Sequence, residues 1–329
     1  MIDFNEFNKI HKNCLTDGLF SELPNHESGK VRDSYNLPGR QRIMVSTDRQ
    51  SAFDLILAAV PFKGQVLNQT SQFWFEETKD ICPNHVLSFP DPNVIITQHL
   101  QMLPVEIVVR DYMTGSTETS IWPMYKKGLR NLYGHNFPEN ILKNQKLPKT
   151  IITPTTKALQ GEHDTPITAE EIIKTNLLSK ETWEEVTQKA LALFTRGKKI
   201  ASKNGLILVD TKYEFGLDQN GILTIADEIH TPDSSRFWIK KSYERCMETG
   251  KNPESLDKEF LRLWITSCCD PYKDQIPPIP QDTLIEFSKK YIQLYEQVTG
   301  QKFKAPNIDQ PIRERIYTNL KFAYPLYFS

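Results

Sequence analysis

Residues 205–238 read GLILVDTKYEFGLDQNGILTIADEIHTPDSSRFW, and two apolar runs in this stretch flank a short polar segment. The first run is Leu206–Phe215, the second is Ile222–Ile229, and the segment between them contains Asn220-Gly221. Because Asn and Gly both tolerate positive φ, an Asn-Gly pair between two such runs predicts a β-hairpin. The fold that we predict for the chain is built outward from this hairpin.

The number of residues in the turn decides which side chains face each other across the hairpin. A two-residue turn places Glu214 directly opposite Asp227, whereas a four-residue turn places Lys212 opposite Asp227. Either register predicts one packing face and one charged face. The packing face carries Tyr213, Phe215, Ile222, Thr224 and Ala226, and the charged face carries Asp210, Lys212, Glu214 and Asp227.

The charged face has two interpretations. Carboxylates that face each other across strands are destabilising, and they cannot both ionise cheaply. A Mg²⁺ ion that bridges nucleotide phosphates removes this cost, since Mg²⁺ takes one or two carboxylates together with phosphate oxygens. The alternative is a solvated sheet face with a surface Lys–Glu pair. The polar loop 231–236 follows the acidic strand and carries anion-binding groups, which favours the metal–nucleotide interpretation.

The composition is that of an ordinary soluble globular protein. With 329 residues, the chain is long enough for two domains or for one large domain with an added lobe. A net charge of −1 predicts no general attraction to nucleic acid or to an anionic membrane. No apolar run approaches the ~20 residues that span a bilayer, the N-terminal residues lack a signal-peptide pattern, and the five cysteines contain no C-x-x-C pair. We therefore expect a cytoplasmic protein with reduced thiols, either a monomer or a small homo-oligomer.

Two further segments have the residue types of phosphate-binding sites. Lys30 and Arg32 follow Gly29 on a predicted strand and alternate onto one face, which suits triphosphate oxygens, although a solvated edge explains them equally well. Arg110 ends the apolar strand 105–110 and is followed by Thr114-Gly115-Ser116. That pattern predicts a phosphate cradle, and the alternative is an arginine that caps a turn.

The distribution of predicted elements indicates two lobes with a boundary near residue 115. Residues 1–115 are rich in strands, and residues 116–329 contain longer helices. Thr168 with Glu171 predicts a capping box, and Ser179 predicts the start of a helix that ends near Gly205. A further helix is predicted over residues 282–299. Aromatic residues in the tail, from about Lys304, suggest that it docks onto the body or onto a neighbouring subunit.

Seven segments, taken together and in order over roughly residues 20 to 300, resemble the SAICAR synthetase family, the phosphoribosylaminoimidazole-succinocarboxamide synthases. They are GKVRDSY, STDRQSAFD, VPFKGQVLNQTSQFWF, EIVVRDYMTGS, TPTTKALQGEHD, LVDTKYEFGLD and ADEIHTPDSSRFW. The resemblance implies an α+β, two-lobed fold related to ATP-grasp, with mainly antiparallel sheets, flanking helices and an ATP cleft between the lobes. It also implies ATP-dependent condensation of carboxyaminoimidazole ribonucleotide (CAIR) with L-aspartate in de novo purine synthesis, through an acyl phosphate, with ATP and Mg²⁺ bound.

The resemblance implies a role for each matching residue. Lys30 and Arg32 bind ATP phosphates, Glu106 forms the hinge where backbone groups read adenine, and Lys212 touches the reacting carboxylate or γ-phosphate. Glu214 and Asp227 are the Mg²⁺ ligands, with Glu214 also at the nucleotide and Asp227 also catalytic. The substrate-side residues implied are Arg110, Ser116, Asp233 and Arg236 for CAIR, with weaker carry-overs for Asp48, Ser51 and Asp164.

One departure and one alternative accompany this resemblance. Thr117–Ser120 is inserted where the family continues with a short aromatic-acidic step, so the role of Ser116 is less secure. The alternative function is a kinase-like phosphotransferase, which shares the glycine-led strand, the lysine and the metal carboxylates. That class also needs a catalytic-loop aspartate with a downstream asparagine and a D-F-G motif, and the chain has no such set.

Overall fold

The computed structural model describes residues 9–117, 119–157 and 164–328. Within these ranges the chain forms two compact units. Unit 1 comprises the described residues of 1–73, 85–99 and 260–329, and unit 2 comprises those of 74–84 and 100–259. This division differs from a single boundary near residue 115, because the last 70 residues belong to the same unit as the N-terminal strands.

Unit 1 is built on an antiparallel sheet. Its strands are β1 (His26–Ser28), β2 (Arg32–Leu37), β3 (Gln41–Ser46), β6 (Val86–Asp91) and β7 (Val94–Gln98), in the order β1-β2-β3-β7-β6. A separate hairpin pairs β4 (Arg49–Ala52) with β5 (Leu55–Ala59). The helices are α1 (Lys63–Thr78), which continues into unit 2, α6 (Glu259–Cys268), α7 (Gln281–Thr299) and α8 (Ile312–Ala323).

Two apolar clusters hold unit 1 together. In one, Ile316 and Leu320 of α8 pack with the sheet residues Tyr35, Ile43 and Ile96. The other joins α7 to the first turns of α1 and to the β4–β5 hairpin. The C-terminal aromatics therefore dock onto the body, as the sequence suggests, with Phe328 buried and Tyr317, Tyr324 and Tyr327 packed against the first cluster.

Unit 2 is built on a six-stranded sheet of mainly antiparallel strands. Its central path is β11 (Lys146–Ile152), β8 (Gln101–Tyr112), β13 (Leu206–Leu217) and β14 (Leu223–Ala226), while β12 (Thr155–Thr156) pairs with β8 and β15 (Ser235–Ile239) pairs with β13. A small hairpin is formed by β9 (Asn131–Leu132) and β10 (His135–Asn136). The helices are α2 (Ile121–Lys126), α3 (Ala169–Lys174), α4 (Lys180–Lys203) and α5 (Lys240–Thr249).

The predicted helix ends are confirmed. Thr168 and Glu171 form the reciprocal capping box of α3. The Ser179 side chain accepts a hydrogen bond from Thr182 N at the start of α4, and Gly205 follows that helix with a positive φ of 73°. Gly300 closes α7 with a φ of 69°. The amphipathic face of α4 contacts β13 and so supports the long strand that carries most of the candidate site.

The β13–β14 hairpin forms, but neither predicted register is correct. Glu214 pairs with Ala226 and Leu217 pairs with Leu223, so the turn has five residues, 218–222. The cause is Asp218, whose Oδ1 accepts hydrogen bonds from the backbone N–H of both Asn220 and Ile222. Such side-chain-to-backbone bonding competes with a two-residue turn.

The register changes the membership of both faces of the hairpin. Thr224 and Ala226 lie on the face of Glu214, whereas Ile225 lies on the face of Phe215. Ile222 is in the turn and half exposed. Asp227 lies beyond the end of β14, with a φ of 58°, so it leaves the ladder before a cross-strand pair can form.

Among the helices in the described ranges, none combines the length and the apolar composition needed to cross a membrane.

Candidate active site

One face of the unit 2 sheet brings together most of the residues singled out in the sequence. On β13, Asp210, Lys212 and Glu214 alternate onto this face, and their partners on β8 are Arg110, Val108 and Glu106. On the far side of β13, Asp210 pairs with Arg236 of β15. Because same-face residues on a strand lie about 6.6 Å apart, the arginine row and the glutamate row are separated by roughly 13 Å.

The arginine row is organised by Asp210. Arg110 Nη1 and Arg236 Nη1 both donate to Asp210 Oδ2, at 2.7 and 2.6 Å. Arg110 Nε donates to Thr153 Oγ1 at 2.8 Å, and Arg236 Nε donates to Glu259 Oε2 at 3.3 Å. Each guanidinium has N–H donors that these bonds leave unused. Asp210 fixes the orientation of both groups.

The charges of this row are unequally compensated. Burial lowers the pKa of Arg110, whereas in Arg236 the attraction of Asp210 and Glu259 outweighs burial and raises the pKa. Burial raises the pKa of Asp257 to about 7, against the effect of hydrogen bonds from the N–H groups of Glu259 and Phe237. Because an arginine side chain keeps its proton in proteins, both guanidinium groups stay charged, and the row suits a dianionic group such as a phosphate.

The loop after β8 lies beside Arg236. A Cβ added to Gly115, which has a φ of 114°, would meet Ser120 Cβ at 2.2 Å and Arg236 Nη2 at 3.5 Å. Ser116 Oγ is buried and has no hydrogen-bond partner in the described structure. A buried hydroxyl without a partner, one residue after the glycine that approaches Arg236, is available to donate to an anion, which supports the predicted cradle. Residue 118 of the insertion lies outside the described residues.

The glutamate row contains two carboxylates and two ammonium groups. Glu106 and Glu214 are direct cross-strand partners. Lys212 Nζ contacts Glu106 Oε1 at 2.9 Å and also Glu214 Oε1, while Lys157 Nζ lies 2.5 Å from Glu214 Oε2. The facing carboxylates expected from the sequence are therefore Glu106 and Glu214, and not Glu214 and Asp227.

The pKa values of this row follow from that arrangement. Burial raises the pKa of Glu106. Burial acts in the same direction on Glu214, but Lys212 and Lys157 outweigh it and hold the pKa at about 2. For Lys212, the charges of Glu214, Glu106 and Asp227 outweigh burial and raise the pKa well above its usual value. Lys212 is thus a permanent cation, and it is unsuited to act as a general base.

The acidic end of the face fits Mg²⁺ bound together with phosphates. Asp227 is close enough to influence Lys212, and Asp164 is close enough to influence Glu106. Within the described residues, no set of three or more His, Cys, Asp or Glu side chains is arranged as a metal cage. Oxygen donors without a cage are what Mg²⁺ uses when phosphate and water supply its other ligands. The two oxygens of Glu214 contact the ammonium groups of Lys212 and Lys157, so this carboxylate lies where positive charge is favourable.

Glu106 and Asp233 each lie in an ion pair. Glu106 is in the middle of β8 and pairs with Lys212. Asp233 lies 3.7 Å from Lys258 Nζ in a buried ion pair at the end of the 227–234 loop. The same loop bonds to β13 through Lys212 N, which donates to Ser234 O at 2.9 Å.

The remaining predicted residues belong to unit 1. Lys30 is not on a strand: it lies in the turn between β1 and β2, which closes when Gly29 N donates to Arg32 O at 2.8 Å, and its ammonium contacts Asp54. A Cβ on Gly29 would lie 2.8 Å from Arg32 O, so only glycine allows the turn to close. Arg32 begins β2.

Asp48 and Ser51 are buried in unit 1. Asp48 Oδ2 accepts from Leu15 N at 2.8 Å and Oδ1 accepts from Gly64 N at 2.9 Å. Burial raises the pKa of Asp48 to about 6, despite those two bonds. Asp48 therefore joins two backbone segments, and Ser51 lies on β4 in the hairpin that follows.

Sequence reasoning missed the residues that hold the site residues in place. They are Glu259 at Arg236, Lys157 at Glu214, and Asp33 and Arg49 around the Gly29 turn, while Asp210 was placed on the charged face without its arginine partners. Lys157 and Arg49 lie inside two segments that resemble the family, TPTTK and STDRQ, and this position is the one sequence feature that indicates a role for them. Their partners are 16 to 57 residues away, and no local pattern reveals those pairings.

The chain is similar to known proteins over most of its length. The sequence model of the family described as SAICAR synthetase matches residues 25–279. The chain belongs to the SAICAR synthetase family. A phosphoribosylaminoimidazole-succinocarboxamide synthase from Legionella pneumophila (strain Lens) is 50% identical over 311 residues, which cover 94% of this chain and 98% of that protein.

Solved structures of the SAICAR synthetase family share the fold. The chain is 31% identical to a SAICAR synthase from Saccharomyces cerevisiae complexed with SAICAR, with a TM-score of 0.74 over 87% of this chain and 98% of that one. A SAICAR synthetase in complex with ADP is 28% identical, with a TM-score of 0.65 over 85% and 100% of the two chains. The predicted α+β fold and the predicted family are therefore confirmed.

Proposed function

We propose that this chain is an ATP-dependent carbon–nitrogen ligase that condenses CAIR with L-aspartate to give SAICAR, ADP and phosphate in purine biosynthesis. Family membership supports the reaction, and the SAICAR and ADP complexes of related enzymes support its product and its nucleotide. The structural observation that supports the proposal is a single sheet face that carries two arginines at one end and two glutamates with two lysines at the other.

The separation of the two rows matches the two ends of the reaction. The phosphate of CAIR binds Arg110 and Arg236, with the hydroxyl of Ser116 as a further donor. The carboxylate of CAIR extends along the face toward Lys212, about 6.6 Å from the arginine row. The triphosphate reaches the same point from the acidic end, so the γ-phosphorus and the carboxylate oxygen meet at Lys212.

The chemistry has two steps, and each is a displacement. The carboxylate oxygen of CAIR attacks the γ-phosphorus and the bond to the ADP oxygen breaks, which gives an acyl phosphate. The amine of aspartate then attacks the acyl carbon, the carbon–oxygen bond to phosphate breaks, and the nitrogen loses a proton. The second step needs no protein nucleophile, because the acyl phosphate is already activated.

Lys212 acts by charge. Its ammonium is held between Glu106 and Glu214 and remains protonated, so it stabilises the oxygens of the transferring phosphoryl group. Glu214 and Asp227 would hold Mg²⁺, and Glu106 and Asp164 add negative charge nearby. When bound, the ion would neutralise phosphate charge during transfer. As the family resemblance implies, Lys30 and Arg32 would contact ATP phosphates, and Asp233 anchors the loop that precedes Arg236.

The test is ADP release with CAIR alone, with aspartate alone and with both. Sustained turnover is expected only with both substrates, together with a product whose mass is that of the succinyl amide. A kinase-like phosphotransferase would instead release ADP continuously with one acceptor and yield a phosphorylated product. That outcome would remove the ligase proposal.

A further inference from the structure

The guanidinium of Arg49 bonds to the turn that carries Lys30 and to two residues outside it, Thr16 and Asp33. Nη2 donates to Gly29 O at 2.9 Å, and Nε donates to Lys30 O at 3.3 Å. Nη1 donates to Thr16 O at 3.0 Å. The remaining two N–H groups form a fork on Asp33, from Nη1 to Oδ2 at 2.8 Å and from Nη2 to Oδ1 at 3.1 Å.

A guanidinium has five N–H donors, and all five are used here. Arg49 is 8% exposed. It therefore has no donor left for a substrate, and its function must be exerted through the groups that it holds. Asp33 is fixed in turn by Gly18 N at 2.9 Å and Ser28 Oγ at 2.8 Å, so the fork has a rigid base.

The third carbonyl of the turn is held in the same way. Thr47 donates twice to Val31 O, from its backbone N at 3.0 Å and from Oγ1 at 2.6 Å. The carbonyl groups of Gly29, Lys30 and Val31 are thus all bonded to Arg49 or Thr47. No water or ligand is needed to satisfy them.

The hydrogen bonds to these carbonyl groups also fix the directions of the backbone N–H groups in the turn. In a planar trans peptide, the C=O of one residue and the N–H of the next point in opposite directions. Because the carbonyls of Gly29 and Lys30 point toward Arg49, the N–H groups of Lys30 and Val31 point away from it. Successive N–H groups that project on the outer side of a turn form an anion-binding concavity.

We propose that Arg49 is a positioning residue for nucleotide binding, which holds the Gly29–Val31 turn so that its outward amides and the Lys30 ammonium receive the phosphates of ATP. The proposal rests on the ligase function above, since it assumes that this turn binds ATP. It adds a residue that contacts no substrate. Free backbone rotation in the turn would otherwise have to be lost each time the nucleotide binds.

The first test is Arg49→Lys, because lysine keeps the charge and cannot reproduce a planar fork on several acceptors. Dissociation constants for ADP and for a non-hydrolysable ATP analogue are measured by calorimetry without CAIR. We expect binding about 10-fold weaker, which corresponds to about 1.4 kcal/mol. The KM for ATP should rise by a similar factor, and the KM for CAIR should change by less than about 2-fold. Arg42→Lys is the matched control, since Arg42 pairs with Glu27 at the surface of the same sheet.

The second test is Thr47→Val, which keeps the side-chain shape and removes the Oγ1 bond to Val31 O together with the long 3.4 Å bond that Oγ1 accepts from Arg49 N. Nucleotide binding about 3-fold weaker is expected, mainly from the loss of the bond to Val31 O. Hydrogen exchange of the amides of residues 29–32 should be faster in both variants and unchanged in Arg42→Lys.

The results separate this proposal from the ligase function. If the parent enzyme does not require both CAIR and aspartate, the function is wrong, while the binding data on Arg49 still stand. If both variants bind nucleotide as tightly as the parent protein, with only a lower melting temperature, Arg49 is a structural residue and the positioning role is refuted.

Discussion

Asp210 orients two arginines at once, and in the proposed function these arginines bind the phosphate of CAIR. Arg236→Lys keeps a positive charge next to Asp210 but loses the second arm of the guanidinium. We expect the KM for CAIR to rise by about 10-fold, since a lost charge-assisted contact corresponds to about 1.4 kcal/mol. Steady-state kinetics with varied CAIR at saturating ATP and aspartate measures this change.

Arg130→Lys is the control for that variant, because Arg130 lies in the same unit and pairs with Glu139 at the surface. Its KM for CAIR should equal that of the parent enzyme. An Arg236→Lys enzyme with an unaltered KM for CAIR would show that Arg236 is held for packing and does not meet the substrate.

Glu214 has a different role, in which its charge matters more than its shape. Glu214→Gln should abolish Mg²⁺-dependent turnover while the protein remains folded. The pKa of about 2 lies below the usual 4.5, so the carboxylate stabilises the fold above pH 4.5, and this stabilisation is lost as the pH falls toward 2. At pH 7 the variant should lose roughly 3 kcal/mol in unfolding free energy, measured by urea titration.

Glu139→Gln is the matched control for Glu214, since it removes a surface charge that is paired with Arg130. It should leave both turnover and unfolding free energy close to those of the parent protein. Near-normal Mg²⁺-dependent activity in Glu214→Gln would contradict the metal assignment, whatever its stability.

For Asp48, the pH dependence of stability has the opposite sign to that of Glu214. Burial raises the pKa of Asp48 from 3.8 to about 6, so its protonated form stabilises the fold below pH 3.8, and that contribution is lost as the pH rises through 6. Asp48→Asn does not titrate. The unfolding free energy of the parent minus that of the variant should therefore be larger at pH 4 than at pH 8, by about 2 kcal/mol. Urea titrations of both proteins at the two pH values test this, and equal differences would show that folding does not raise the pKa of Asp48.

At the scale of the element, the sequence predicts the hairpin at residues 206–226 but not its register. Asn220-Gly221 marks the turn correctly. The five-residue turn depends on the carboxylate of Asp218 capping two amides, which is a side-chain choice that hydrophobic alternation does not encode. The charged face of β13 is predicted correctly despite the wrong register, because alternate residues of a strand (Asp210, Lys212 and Glu214) share one face in any register.

Helix ends are better predicted than strand partners for the same physical reason. The caps at Thr168, Ser179 and Gly300 depend on residues within four positions in the chain. The pairing of Glu214 with Glu106, by contrast, joins residues about a hundred positions apart. The sequence alone therefore indicates that carboxylates face each other, while the structure is needed to say which ones.

Gly216 allows β8 and β13 to keep the register that aligns the two rows. An added Cβ would lie 2.8 Å from Leu100 Cβ and 3.0 Å from Gln101 O, next to the irregularity between Glu214 and Gly216. Gly216→Ala should lower the unfolding free energy by about 1–3 kcal/mol through overpacking. It should also lower kcat, since Glu214 and Lys212 move relative to Glu106.

Gly221→Ala provides the comparison on the same hairpin. Gly221 has a φ of 76° and open space around its Cα, so alanine there costs about 1 kcal/mol from backbone conformation alone. Its kcat should match that of the parent enzyme. Equal kcat values in both variants would show that the β8–β13 register tolerates an added methyl group.

In the whole molecule, the predicted boundary near residue 115 differs from the division into compact units, most of all in the segment after residue 259. Residues 260–328 pack into unit 1, because α7 and α8 bury apolar faces that only the N-terminal elements complete. An amphipathic helix shows in its sequence that one face is buried. It does not show which distant segment covers that face, so the division into units could not be read from composition.

The tail beyond the family match is therefore part of the core of unit 1. Ile316 of α8 is fully buried, whereas Phe322, six residues later in the same helix, is 91% exposed. Ile316→Ala should lower the unfolding free energy by about 3 kcal/mol, because the deleted methyl groups leave a cavity against Tyr35 and Ile43. Phe322→Ala should change it by less than about 0.5 kcal/mol. Urea unfolding measures both, and hydrogen exchange should place the added opening of Ile316→Ala in β2, β3 and β7. Small effects of both substitutions would show that the tail is an appendage and does not help to build the core of unit 1.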